Sequence, residues 1–329
     1  MSTSRRPYPL RLLARLRWRA SRLSPVLRGM LWAGLAGLQF IFLNAVMREL
    51  TRQLGPFETL FLRYAAGVVV LTPLLLRAGL AYWRPLSIPG QFLRGALHTG
   101  GLILWFLAVV HVSLADTTAI SFSGPLLIML GASMFLGEPM RWTRWVAALA
   151  GFCGVLLVMA PRVTGDGGGY MLVMLASTSV FAGSYLLTKA LTRHERPEVI
   201  VVWQTFTVAC FGLPLALLEP WIWPSAGQWG FVFLCGAMGS SGHYCMTRAF
   251  KTADISATQP VKFLELLWAA LLGWALFGEL PTAWTLAGGV VIAASTVWLA
   301  RREAREAREA REASQAPRLD ALAQRATPD

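Results

Sequence analysis

Ten apolar stretches divide this chain, near 29–47, 57–78, 91–111, 115–136, 142–160, 169–190, 198–218, 228–248, 253–277 and 282–300. Each is long enough to cross a hydrocarbon core of roughly 30 Å, which takes about 20 helical residues. Only helices or closed barrels satisfy their backbone in lipid. Barrel strands alternate apolar with polar residues and run about 10 residues, so these longer, continuous runs predict helices. The composition agrees: 14% of residues are charged, against about 25% in soluble domains.

The net charge of +13 sits at the two ends and in short loops rather than on one folded face. That distribution argues against a nucleic-acid partner and fits an anionic membrane surface. The N-terminal arm carries Arg5, Arg6, Arg11, Arg15, Arg17, Arg19, Arg22 and Arg28 with no acid. With ten spans, the same side receives Arg77, Arg84, Arg94, Arg141, Arg144, Lys189, Arg193, Arg196, Arg248 and Lys251, while the other side has Arg48, Arg52 and Arg162. The positive-inside rule then puts both termini in the cytoplasm of a bacterial-type inner (plasma) membrane. Residues 29–45 also fit the apolar core of a signal peptide. The arm over Arg11–Leu23 reads either as a helix on anionic lipid or as a disordered, topology-setting segment. The Arg-Glu-Ala tail from Arg302 reads as a solvated helix without a site.

The chain repeats itself. Ala115–Glu138 reads ADTTAISFSGPLLIMLGASMFLGE, and Ala253–Glu279 reads ADISATQPVKFLELLWAALLGWALFGE. Ten spans in two copies give five each, and an odd number inverts the second copy. These stretches, with the apolar segments after them, resemble the drug/metabolite transporter superfamily, in its ten-helix EamA-type branch. The resemblance covers about Arg28 to Ala300. It implies an all-α integral membrane fold of two inverted five-helix repeats around a central cavity, and transport of amino acids, nucleoside-like compounds or other small metabolites. The expected divisions are a basic arm at 1–27, repeats at 28–161 and 168–300, and a charged tail at 301–329.

Ionisable groups at depth are costly and normally face a cavity or each other. Lys262 and Glu265 stand three apart in the ninth segment. They either pair, or Lys262 meets a substrate carboxylate while Glu265 meets an amine or a proton. Arg63, beside Tyr64, either supplies a second positive charge to the cavity, snorkels outward or pairs with Glu58. Gln39 and Asn44 are interhelical glue or ligand contacts. His98 and His243, like Glu265, are candidate proton carriers. Trp105, Trp203 and Trp268 offer stacking faces, while Trp221, Trp223 and Trp229 suit an interfacial belt. Ser121, Ser123 and Gly124 precede Pro125, and Ser256 and Gln259 precede Pro260, predicting matched bends near the cavity. The substrate-binding set is thus Lys262, Glu265, Arg63, Tyr64, Gln39, Asn44, Trp105, Gln259 and Ser121. Asp116 and Asp254 are expected to cap their helices, and Glu138 and Glu279 to pair or start the next turn, with little role in substrate binding.

No HExxH, GxSxG or Walker loop is present, the histidines are scattered, and Cys153, Cys210, Cys235 and Cys245 lie singly in apolar runs. No enzyme, metal or cofactor is expected. The functional expectation is secondary, non-ATP transport of a small polar metabolite, a carboxylate or zwitterion being favoured. An S-adenosylmethionine-type nucleoside substrate, or a non-transporting membrane scaffold or receptor, stands as the alternative.

Overall fold

The structure is a computed structural model that describes residues 23–109, 111–112, 114–139, 141–162, 168–218, 220–277, 280 and 282–326. The arm through Arg22, with its proposed lipid contacts, and Glu279 lie outside the described residues. Among the described residues there is no strand. The helices are α1 (Pro25–Leu54), α2 (Pro56–Ala78), α3 (Ile88–Val109), α4 (Leu114–Ser121), α5 (Gly124–Phe135), α6 (Trp142–Met159), α7 (Tyr170–Leu191), α8 (Pro197–Ala216), α9 (Ala226–Thr252), α10 (Ile255–Lys262), α11 (Leu264–Phe277) and α12 (Ala283–Ala326).

Eight stretches are long and apolar enough to cross a membrane, counting Asp116–Phe135 as one. The other two crossings are α9, diluted by Gly, Ser and His, and α10–α11, interrupted at Phe263. Large apolar side chains such as Leu31, Leu76, Phe135 and Leu172 stand exposed on the bundle's outside. That is the arrangement of a protein whose outer solvent is lipid. The chain is an all-α integral membrane protein of two five-segment repeats.

Both repeats break their fourth segment. Phe122 and Ser123 form a tight turn between α4 and α5, and Ser123 Oγ donates to the Ile120 carbonyl at 2.6 Å. Pro125 follows in the first turn of α5, where its missing N–H costs nothing. In the second repeat Pro260 lies inside α10, the helix stops at Lys262, and Phe263 carries the turn. The expected bends are therefore full helix breaks. The two broken segments meet through α5 and α10 near the end of the bundle from which the tail leaves. The other halves part: α4 packs on α7 and α6, and α11 packs on α1 and α12.

Glycine sets the closest crossings. A methyl group on Gly154 of α6 would stand 2.9 Å from the Gly288 carbonyl and 2.7 Å from Ile292 Cγ1, both on α12. On α9, a methyl on Gly236 would stand 2.6 Å from the Gly67 amide of α2, and one on Gly242 would stand 2.8 Å from the Phe40 ring. Small residues let membrane helices approach where lipid supplies no hydrophobic drive.

At the tail end, charge closes the bundle. Arg144, in the first turn of α6, was expected in a loop but is 2% exposed. Its Nε donates to Glu303 Oε1, and its Nη1 donates to Asp254 Oδ2 and Ser256 Oγ, each at 2.9 Å. Arg141 donates to Glu303 Oε2 at 3.0 Å and also pairs with Glu306. The capping expected of Asp254 is corrected here. Asp254 occupies the N-cap position of α10 without a side-chain cap bond. Glu138 of the other repeat does the capping: it accepts from the amides of Ile255 (2.7 Å) and Ser256 (3.0 Å) and from Ser256 Oγ (2.6 Å). A carboxylate there satisfies orphan amides and suits the positive end of the helix dipole.

Candidate functional site

The break at Phe263 places two charges beside one another. Lys262 ends α10, with Nζ 4.8 Å from the centre of the Tyr185 ring on α7. Glu265 opens α11 and lies against α1, where a methyl on Gly37 would stand 2.9 Å from its Cγ. Its Oε1 is buried with no hydrogen-bond partner. Lys262 and Glu265 form no ion pair within 4 Å among the described residues. Lys262 turns to an aromatic face, a favourable seat for a cation, and leaves the carboxylate unpaired.

A second group adjoins it, built by α2, α3, α8 and α9. Tyr64 Oη and His98 Nε2 share a 3.0 Å hydrogen bond, and the His98 and His243 rings sit edge to face at 5.5 Å. Gln204 Nε2 reaches the His243 ring at 3.4 Å, and its Oε1 is buried without a partner. Arg63 lies over the Tyr64 ring at 4.7 Å and contacts Met47 Sδ at 3.6 Å. Gly239 leaves room for the guanidinium, since a methyl there would stand 2.9 Å from Nε. Arg63, Tyr64, Thr205, Gly236, Gly239, Ser240 and His243 line a gap with no room for a water molecule. Ligand pockets span roughly 300–1,000 Å³, so this conformation holds the group closed around itself.

The remaining candidates disperse. Gln39 donates to Cys245 Sγ at 3.7 Å and accepts from Ser241 Oγ at 2.7 Å, tying α1 to α9 as glue. Gln259 donates within its own helix, to the Ile255 carbonyl at 2.9 Å. Ser121 ends α4 at the first break. Asn44 is exposed on α1, and Trp105 packs edge-on to Phe106 at 5.1 Å. Trp203 donates to the Trp83 carbonyl at 2.9 Å and serves packing. Trp221 stacks edge-on with Phe61 and Trp223 beside the loop before α9.

Sequence reasoning passed over Tyr185, Gln204 and Arg94. Arg94 counts as a loop charge by the positive-inside bias, yet lies in the second turn of α3 at 2% exposure. Its place inside the 91–111 stretch was the available signal. Gln204 had a similar one, as a lone amide in an apolar run.

Two copies of one sequence family cover this architecture end to end: the EamA-like transporter family matches residues 27–160 and 168–301. The chain belongs to the EamA-like transporter family. Small-metabolite transport comes with that membership. Among EamA-type relatives, a riboflavin transporter of Rhizobium johnstonii is 32% identical over 277 residues, covering 84% of this chain and 91% of its own length. A pseudopaline exporter of Pseudomonas aeruginosa is 27% identical, covering 83% and 96%. An S-adenosylmethionine uptake transporter of Rickettsia prowazekii is 28% identical, covering 85% and 95%. A solved crystal structure shares the fold at TM-score 0.74 and 19% identity, covering 84% of this chain and 98% of that one.

Proposed function

We propose that this EamA-family chain is a secondary transporter of a small polar metabolite carrying a carboxylate or both charges of a zwitterion, working by alternating access. One observation carries the reading: Lys262 and Glu265 flank the α10–α11 break, and the carboxylate has a buried oxygen without a partner. A charged pair that serves only the fold gains by closing on itself. A pair held open at a helix break offers a cation to a carboxylate and an acceptor to an ammonium or a proton. Broken helices at the centre of the membrane, with charge beside them, are where inverted-repeat transporters bind substrate. Arg63 on α2 adds a further cation in the neighbouring group, and the first broken segment, at Ser121–Ser123, carries none. Both termini face the cytoplasm, so the ionic closure at the tail end is the cytoplasmic one. The divisions at 28–161 and 168–300 follow the repeats, and the arm up to residue 27 and the tail from 301 flank them.

A second reading, a planar heterocycle of nucleoside or flavin type, is favoured by the rings of Tyr64, His98 and His243 and by what the relatives carry. A thermal-stability screen of the purified protein against amino acids, carboxylates, nucleosides and flavins tests both. The charged reading predicts stabilisation by a carboxylate or zwitterion that Lys262→Ala abolishes. Stabilisation by uncharged heterocycles alone, unaffected by Lys262→Ala, overturns it.

A further inference from the structure

Arg94 and Arg144 are the two largest fully buried side chains among the described residues, and they are held in opposite ways. Arg144 is matched by Glu303 and Asp254 at 2.9 Å. Among the described residues, Arg94 has no carboxylate in ion-pair reach. Its Nε donates to the Thr188 hydroxyl of α7, and its Nη1 is buried with no partner at all. Its electrostatic neighbours include Tyr64 and Tyr185, the aromatic residues of the two groups described above. One turn before it on the same face of α3 stands Gln91, fully buried, with both its amide oxygen and its amide nitrogen unpartnered. Buried polar groups are almost always satisfied, and an unpaired buried charge is among the most expensive arrangements a fold can keep.

We infer that Arg94, assisted by Gln91, is a binding station for the carboxylate of the transported molecule, set one turn from His98 towards the tail end. This deepens and rests on the transport reading. A guanidinium presents parallel donors that match a carboxylate's two oxygens, and Nη1 is the donor left over after Thr188 has taken Nε. The Gln91 amide adds a neutral donor at the same level. The charge that the protein leaves out is the one the substrate brings in. Of the interior groups already described, Glu265 is the one carboxylate, and it lies against α1 and forms no ion pair with Arg94 among the described residues.

The test uses the full chain purified in detergent, with sodium acetate as probe and sodium chloride at matched ionic strength as control. The wild type is expected to show a saturable rise in melting temperature with acetate beyond that with chloride, as ligand binding to the folded state requires. Arg94→Met is expected to abolish that difference and, by removing an unpaired buried charge, to melt no lower than the wild type without acetate. Arg144→Met, which breaks a matched pair, is expected to melt lower. Arg94→Lys keeps the charge and loses the fork, so it should fold and need at least tenfold more acetate. An acetate response absent from the wild type overturns the assignment. So does one retained in both Arg94 variants, or an Arg94→Met protein that melts as low as Arg144→Met. Lys262→Ala separates the two readings. Transport sensitive to Lys262 without an acetate response sinks Arg94 alone, and an Arg94-dependent acetate response without any transport sinks the transport reading alone.

Discussion

Replacing Arg144 by Met should destabilise the tail-end closure by about 3 kcal/mol, at the lower edge of the roughly 3–5 kcal/mol for breaking a buried ion pair. The structure sets that figure. Arg144 and Glu303 have side chains 2% and 3% exposed, so their 2.9 Å pair is screened by little solvent. Asp254 is 43% exposed, and its share is discounted accordingly. Arg141 still donates to Glu303 Oε2 at 3.0 Å in the variant, so the orphaned carboxylate keeps one cation. Methionine fills most of the vacated volume, which limits the packing loss. The assay is thermal unfolding in detergent, read by the monodisperse fraction, with a fall in melting temperature on the order of 5 °C. A double-mutant cycle with Glu303→Gln isolates the pair: the double variant should cost at least about 1 kcal/mol less than the two single losses added. Arg144→Met melting with the wild type, or strict additivity in the cycle, refutes the claim that this pair ties α6 to α12.

Tyr64→Phe removes one buried 3.0 Å hydrogen bond to His98 and should cost about 1–3 kcal/mol because the imidazole nitrogen is left unsatisfied, read in the same melt. Gly154→Leu drives a side chain into Gly288 and Ile292 of α12 and should cost about 1–3 kcal/mol, with loss of a monodisperse peak on size exclusion. Gly37→Ala meets Glu265 Cγ at 2.9 Å. It should displace the carboxylate and lower substrate affinity more than it lowers the melting temperature, measured as ligand titration against thermal stability.

The helices and their repeat were legible because lipid leaves few options: long apolar runs must be helical, and the twofold pattern was written in two like stretches. The breaks were legible as bends because Pro125 and Pro260 each remove a backbone donor. Which partner each polar group takes was not legible. Glu138 caps a helix 117 residues away in the chain, and Arg144 pairs with Glu303 after 159. Such contacts are set by how the repeats interlock, and no local pattern records it. Arg94 shows the same limit from the other direction. A rule that counts basic residues near segment ends treats a buried arginine and a loop arginine alike. Gln39 and Gln259, equally polar in sequence, differ in the structure: one ties two helices together and the other folds back on its own.

The central claim is that Lys262 and Glu265 at the α10–α11 break handle a charged solute that moves without ATP. Purified protein in liposomes, given the best stabilising carboxylate or zwitterion from the thermal screen in labelled form, tests it most directly. The account predicts saturable uptake by the wild type with no nucleotide present, and uptake at the level of empty liposomes for a folded Lys262→Ala protein. Equal uptake by the wild type and Lys262→Ala would contradict it.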